Sequence, residues 1–507
     1  MDLKYCEDIL IKLNIPVSID EDNIFKYDPN SGYYTDKCFS YTSENGTDII
    51  LSDRKKEFIN NNLSLCENNC NYTGYSKESK QSSCDCNVNS KNDLISDILD
   101  NTINLPNVFS SEESSSSSNI ITMKCTKNLF TKHGLLYNIA SYVLLFILTF
   151  FIIALLIFIK CGYPLLKVEI ENILKTKRSI QKQQKNNKRN LITERRNKLK
   201  TRKKIKKGKN NNERIINLKM INNINLNEEN IINSKLNPNT GNLLINKKNK
   251  KNILTSNNKK KTKNQNKKLL NSKNKISIKY NNYEMNNFPY QKAIICDKRT
   301  CGEYYIYLIK SKILILFGFC PEKDNNSRII KLCIFFLSFS IYYAINFAFF
   351  NEKMIHKIFE DGGKYDIIYF LPKIFISFAI SHAICIIIKL LFLSERNLMN
   401  IKTQPSLAAS ENVANNEKGK LVRKYIIFFI MSFIFLGFFW ILLSSFGAVY
   451  QNTQIFIFEN SLISFAVSFI YEIFINIFPC FFRITSLKSK DHNKECFYSF
   501  SKFLQLL

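Results

Sequence analysis

The residues best placed to do chemistry are cysteines and acceptor asparagines near the start of the chain. Residues 1–135 hold seven cysteines: Cys6, Cys38, Cys66, Cys70, Cys84, Cys86 and Cys125. Cys66 and Cys70 are four apart, and Cys84 and Cys86 are two apart. In an oxidising compartment such a set reads as a disulfide framework, with Cys38, Cys66, Cys70, Cys84 and Cys86 as the candidates. Zinc is the rival reading of the same thiols, but the segment has one histidine, His133, next to an apolar run. Free or mixed thiols are the third reading, and an odd number leaves at least one thiol over or paired outside the chain. Three sequons, at Asn45, Asn62 and Asn71, are candidate glycosylation sites and imply the same compartment. Asp20, Glu21, Asp22 and Asp28 lack a complete calcium-loop spacing and read as a solvated acidic turn.

A second group matters because of its surroundings. Asn346, His382, Lys389 and Glu472 each interrupt an apolar run. Ionisable groups in hydrocarbon are costly, so they pair, snorkel or line a polar path. His382 and Glu472 each lie about fifteen residues, or roughly 22 Å at helical rise, into their runs. The third and fifth runs are therefore expected to touch there, while Lys373 and Lys389 lie nearer the ends. Ser377, Ala379, Ser381 and Ala383 suit close helix packing on the third run. The sequence offers no phosphate-binding glycine loop, no zinc-protease helix and no convincing nucleophile triad. It therefore reads as no enzyme, with no metal and no cofactor.

The elements that must position these residues are five apolar runs, at 136–160, 329–350, 367–393, 425–450 and 455–482. Within the first, Tyr137–Ile159 is free of charge and, at roughly 20 residues or more, long enough to span a bilayer. The expected fold class is an all-α polytopic membrane protein with about five transmembrane helices, a small cysteine-containing extracellular domain and a long disordered basic loop. The extracellular domain takes 1–110 and a serine-rich stalk 111–135. A mostly disordered cytoplasmic loop takes 161–328, with a short interfacial helix expected within 303–319. A further cytoplasmic loop takes 394–424, and 483–507 is a cytoplasmic tail.

Charge supplies the orientation. The chain carries a formal net charge of +30, and residues 161–330 hold 41 basic against 11 acidic residues. Residues 1–135 are acidic, with 13 basic against 20 acidic residues. The positive-inside rule puts the basic loop in the cytosol and the sequon-bearing segment outside. The cluster Arg195, Arg196, Lys198, Lys200, Arg202, Lys203, Lys204, Lys206 and Lys207 would be drawn to anionic inner-leaflet lipid by about 1 kcal/mol per residue near the surface. The bland reading is a solvated low-complexity spacer. Nucleic acid is not an expected partner, because the basic stretch lacks interleaved aromatics or a folded module. No signal peptide is visible at the start. Either the first apolar helix translocates what precedes it or the chain is a fragment, and the abrupt start within cysteine-bearing sequence favours the fragment.

The order of parts resembles the N-terminal membrane half of polycystin-1-like proteins: cysteine-bearing ectodomain, single span, large cytoplasmic insert, two helical pairs. Residues 320–350, CPEKDNNSRIIKLCIFFLSFSIYYAINFAFF, look like that family's second span, and Cys66, Cys70, Cys84 and Cys86 are loosely similar to its GPS-domain cysteine spacing. Residues 351–397 also resemble uncharacterised multi-pass surface proteins of protists. The His-Leu-Ser/Thr cleavage pattern and any six-helix channel segment are missing, so the resemblance implies an order of helices and no channel activity. The expected function is a receptor-like or structural surface protein of the plasma membrane, with the lipid bilayer and an extracellular ligand or protein as partners. The alternative is a transport or channel-accessory subunit. Tags inserted near Ser115 and near Asn257 should respond oppositely to external protease on intact cells, and equal protection of both overturns the topology.

Overall fold

The computed structural model describes residues 10–66, 70–87, 119–206, 280–320, 324–488 and 494–505. The chain forms two units, Met1–Leu174 with Asn281–Leu507, and Lys175–Tyr280. The described residues are mostly helical.

The first unit opens with a feature that the all-helical expectation lacks. Strands β1 (Leu10–Pro16), β2 (Cys70–Ser76) and β3 (Gln81–Asn87) form an antiparallel sheet in the order β1-β3-β2. Apolar alternation, the usual strand signal, is absent, since β1 is exposed along most of its length. Covalent bracing replaces an apolar face: Cys70 pairs with Cys86 across β2 and β3, and Cys66 pairs with Cys84. Beside the sheet, α1 (Leu51–Asn60) covers an aromatic core of Tyr33, Tyr34 and Phe58. Arg54 is buried there, donating to the carbonyls of Phe39 at 3.2 Å and Asp36 at 3.3 Å, with its guanidinium over the Tyr33 ring. A third pair, Cys38 with Cys125, joins this core to the approach of the first apolar helix.

That approach corrects the expected stalk. Residues 119–135 are short helical turns packed against the fourth apolar helix, with Leu129 buried. Residues 111–118 lie outside the described residues.

The first apolar helix, α2 (Ile139–Ile157), passes through one π-helical turn, Phe158–Gly162, into α3 (Tyr163–Lys206). The start of the basic loop is therefore helical rather than irregular, and 207–279 lies outside the described residues. The loop's end is also ordered, as α4 (Asn282–Asn286), α5 (Tyr290–Cys296), α6 (Cys301–Lys312) and α7 (Leu314–Phe319). Capping boxes at Asn281/Glu284 and Thr300/Glu303 start α4 and α6. Then follow α8 (Arg328–Phe349), α9 (Glu352–Glu360), α10 (Ile367–Phe392), α11 (Glu395–Thr403), α12 (Leu407–Val449), α13 (Gln454–Ile475), α14 (Ile477–Lys488) and α15 (Glu495–Leu504).

Among the described residues five helical stretches, built on α2, α8, α10, α12 and α13, are long and apolar enough to cross a membrane. The α8 stretch is 61% buried, against 22–33% for the other four, so α8 is the central post. The outward faces of the others show bare apolar side chains such as Phe146, Ile153, Ile368 and Phe474, each more than half exposed. The bundle has a domain end, which carries the sheet, and a far end. At the far end, α4 to α6 pack on α14 and α15. Arg483, fully buried, donates to Asp297 at 2.8 Å and to the Met285 carbonyl at 2.7 Å, between the rings of Tyr304 and Tyr498. Burial would raise the Asp297 carboxyl, but Arg299 and Arg483 together hold it below its ordinary value. The expected loop end and tail are thus one folded module.

At the domain end, Asn138 caps α2 by accepting from the Ser141 amide at 3.0 Å and donates to the Ser444 carbonyl of α12 at 2.7 Å. Gln454 bonds back to the Tyr137 carbonyl and the Ala140 amide. Gly447 makes room for both amides, since a Cβ there would lie 2.8 Å from Asn138 Oδ1 and from Gln454 Oε1. Gly447→Ala should therefore cost about 1–3 kcal/mol, as in other overpacked sites. Gly437→Ala on the same helix meets open space and should be near neutral, with thermal melts of the purified protein reading both.

Candidate functional site

Two polar constructions stand out, one at the domain end and one within the bundle. The first docks the sheet-bearing domain onto the helices. Asp48 is 2% exposed and sits at the start of α13. Its Oδ2 accepts from the backbone amides of Thr453 at 2.7 Å and Asn452 at 3.0 Å, and its Oδ1 accepts from the Asn452 side chain at 3.3 Å. A carboxylate there meets the unpaired amides and positive dipole end of a 22-residue helix. The loop that presents it is folded by its own sequence: Gly46 takes φ +78°, and Ser43 and Thr47 share a 2.7 Å hydrogen bond. A second contact lies alongside. His356 of α9 has Nδ1 2.9 Å from Asp53 of α1 and Nε2 3.2 Å from Glu360. The domain thus touches the connections that follow both α8 and α12.

The second construction is a polar seam between α8, α10 and α13. The His382 Nε2 lies 3.6 Å from Glu472 Oε1, longer than a hydrogen bond but within ion-pair range. Glu472 also accepts from Asn476 at 2.8 Å, and Tyr471 presents its ring edge to the imidazole. Lys389 reaches sideways rather than to an interface, donating to the Lys312 carbonyl of α6 at 2.8 Å. Asn346 bonds the Tyr342 carbonyl one turn back at 2.8 Å. Ser377 and Ser381 are fully buried on α10, and their hydroxyls find no hydrogen-bond partner among the described residues. A polar partner within a few ångströms lessens the cost of burying either group.

The remaining sequence-derived residues fall as follows. Cys66, Cys70, Cys84, Cys86 and Cys38 all lie at disulfide-bonding distance from a partner. Cys125, absent from the candidate set, completes the third pair, and Cys6 lies outside the described residues. Five candidates cannot all pair among themselves, and that was the signal that could have brought Cys125 in. Asn45, Asn62 and Asn71 are all exposed. Arg195 and Arg196 are exposed on α3, and Lys198, Lys200, Arg202, Lys203, Lys204 and Lys206 continue that helix. Lys207 lies outside the described residues. Sequence reasoning missed Asp48, Asp53 and His356, because Asp48 lies in a loop and Asp53 and His356 lie on short helices, and a single polar residue in either carries no signal of its distant partner. No group of His, Cys, Asp or Glu with metal-holding geometry occurs among the described residues. No family model, curated protein or solved structure matches the chain.

The docking contact has a pH signature. Burial pushes the Asp48 carboxyl from 3.8 up to about 6, although the hydrogen bonds from Thr453 and Asn452 pull the other way. The folded state therefore holds a proton that the unfolded chain releases. This contribution is complete below the ordinary aspartate range and is lost as pH rises through about 6. Raising the pH from 5 to 7.5 should weaken the docked domain by on the order of 1–2 kcal/mol through Asp48. In Asp48→Asn that part of the pH dependence should vanish, read as the difference between the two proteins' melting curves across the range.

Proposed function

We propose that this chain is a multi-pass membrane protein of receptor-like or structural type. Its disulfide-braced domain faces the exterior, its basic segment faces the cytosol, and its membrane is the plasma membrane. The observation that carries the reading is the seating of Asp48 on the amides that open α13. A ligand or neighbouring protein that displaces this domain pulls on the first turn of a helix whose other end holds Glu472 and leads into the far-end module. Three exposed sequon asparagines leave the domain's surface compatible with glycans. The basic helical segment would face anionic lipid.

The competing reading is a transport or channel-accessory subunit. It is favoured by the buried Ser377 and Ser381 hydroxyls on the helix that carries His382, whose imidazole lies 3.6 Å from Glu472. One comparison separates the two. Amide hydrogen exchange is followed in Asp48→Ala and in Glu472→Gln, each as the full chain in nanodiscs. The receptor-like reading expects Asp48→Ala to speed exchange both at 451–456 and at 470–488. Faster exchange confined to 42–58 and 451–456 sinks it. The transport reading expects Glu472→Gln to alter solute flux in reconstituted vesicles while leaving the docked domain's protection unchanged.

A further inference from the structure

At the far end a polar cavity of about 540 Å³ opens between α4, α11 and the non-apolar first half of α12. Its walls include Tyr283, Asn287, Arg396, Asn397, Asn400 and Lys420. The depth of this cavity relative to the apolar belt follows from chain position. Arg396 comes four residues after the last residue of α10, and Lys420 comes five before Tyr425, where the apolar run of α12 starts. On the continuous α12 that places Lys420 roughly 7–8 Å beyond the apolar layer at helical rise, the depth of lipid headgroups, and Arg396, which follows the break after α10, lines the same cavity.

The charges in the walls are unevenly committed. Glu417, the carboxylate of the cavity, is saturated: Oε2 accepts from Asn397 at 2.6 Å, and Oε1 accepts from Lys420 at 3.0 Å and Asn400 at 3.2 Å. Lys402 is taken by Glu284 at 2.8 Å, which ties α11 to α4. Lys424 is directed at the Leu393 carbonyl and the Asn397 side chain, and holds the start of α11 in place. Arg396 is different. It is exposed to the cavity, and no carboxylate pairs with it among the described residues. A guanidinium offers a planar fork of donors that matches two phosphate oxygens. Lys420 uses one of its three protons on Glu417 and has others to give.

We infer that this cavity binds the phosphate of an anionic phospholipid headgroup, with Arg396 as the clamp and Lys420 as the second cation. A soluble phosphate ester has the same chemistry. The membrane lipid is favoured because the cavity opens at headgroup depth, where the lipid's acyl chains can stay beside the apolar helices. None of the residues lining this cavity belongs to the basic stretch at 195–207. The inference rests on the membrane reading of the apolar helices.

The test uses the full chain in phosphatidylcholine nanodiscs, with thermal stabilisation and native mass spectrometry as readouts. One arm adds a phosphoinositide to the bilayer, and another adds soluble inositol phosphate to the neutral nanodiscs. The phosphoinositide should be retained and should raise the melting temperature. Arg396→Gln should lower its apparent affinity at least tenfold, with the melt in neutral nanodiscs unchanged, because the side chain it replaces bonds to nothing in the walls. Lys418→Gln, on the same helix but outside the cavity, should bind like the parent. Equal retention by Arg396→Gln and the parent overturns the site. Equal stabilisation by soluble inositol phosphate overturns the lipid as its source. A chain that does not enter nanodiscs at all overturns the membrane reading instead, so the two failures are told apart.

Discussion

A helix that shows an apolar face to its surroundings must turn its polar side chains toward its neighbours, and much of this structure follows from that constraint. Along the apolar stretches the exposed side chains are mostly Ile, Leu and Phe, whereas Ser338, Ser340, Asn346, Ser377, Ser381, Ser461, Ser464, Ser468 and Glu472 are all buried. The middle of the bundle is still largely apolar, and these polar groups are set into it beside side chains such as Ile334, Leu337 and Phe347. Small hydroxyl side chains let helices approach closely and can bond back to their own carbonyls, as Ser461 does to Ile457. Aromatic rings fill the rest, with Phe465 packed edge-on against Phe335, Phe339 and Tyr342. The seam through His382 and Glu472 is where this inward polarity becomes ionisable.

The same helices give the molecule a means of relating its two ends. The domain end is held covalently through Cys38 and Cys125 and electrostatically through Asp48 and Asp53. The far end is held by Arg483 around Asp297. α13 begins beside the first set of contacts and leads through α14 to the second. α12 makes the same journey in the other direction. Its 43 residues span roughly 65 Å at helical rise, and its polar first half carries one wall of the far-end cavity. Trp440, the only tryptophan, ties this helix to α2 by donating to Ser141 at 3.0 Å. Neither end is therefore an appendage of the bundle. Each is bonded to helices that reach the other.

The sequence by itself determined the apolar helices and their number, because a run of some 20 apolar residues is a local property that chain length and composition reveal. It also set the separation of charge between the acidic start and the basic middle. Helix within 163–206 and order within 280–320 were not legible in it. Lysine and asparagine bias masks periodicity there, and the second segment is stabilised by Arg483, which lies some 186 residues from Asp297. Cys84 and Cys86 drew attention through their spacing, but their partners did not, since connectivity depends on how β2 and β3 register. His382 and Glu472 could be paired by depth because a regular helix converts residue number into distance. Asp48 could not be paired with Thr453, which lies 405 residues away. Such a contact is made by loops, where no repeat links position to place. Only the tertiary structure decides which buried carboxylate meets which helix end.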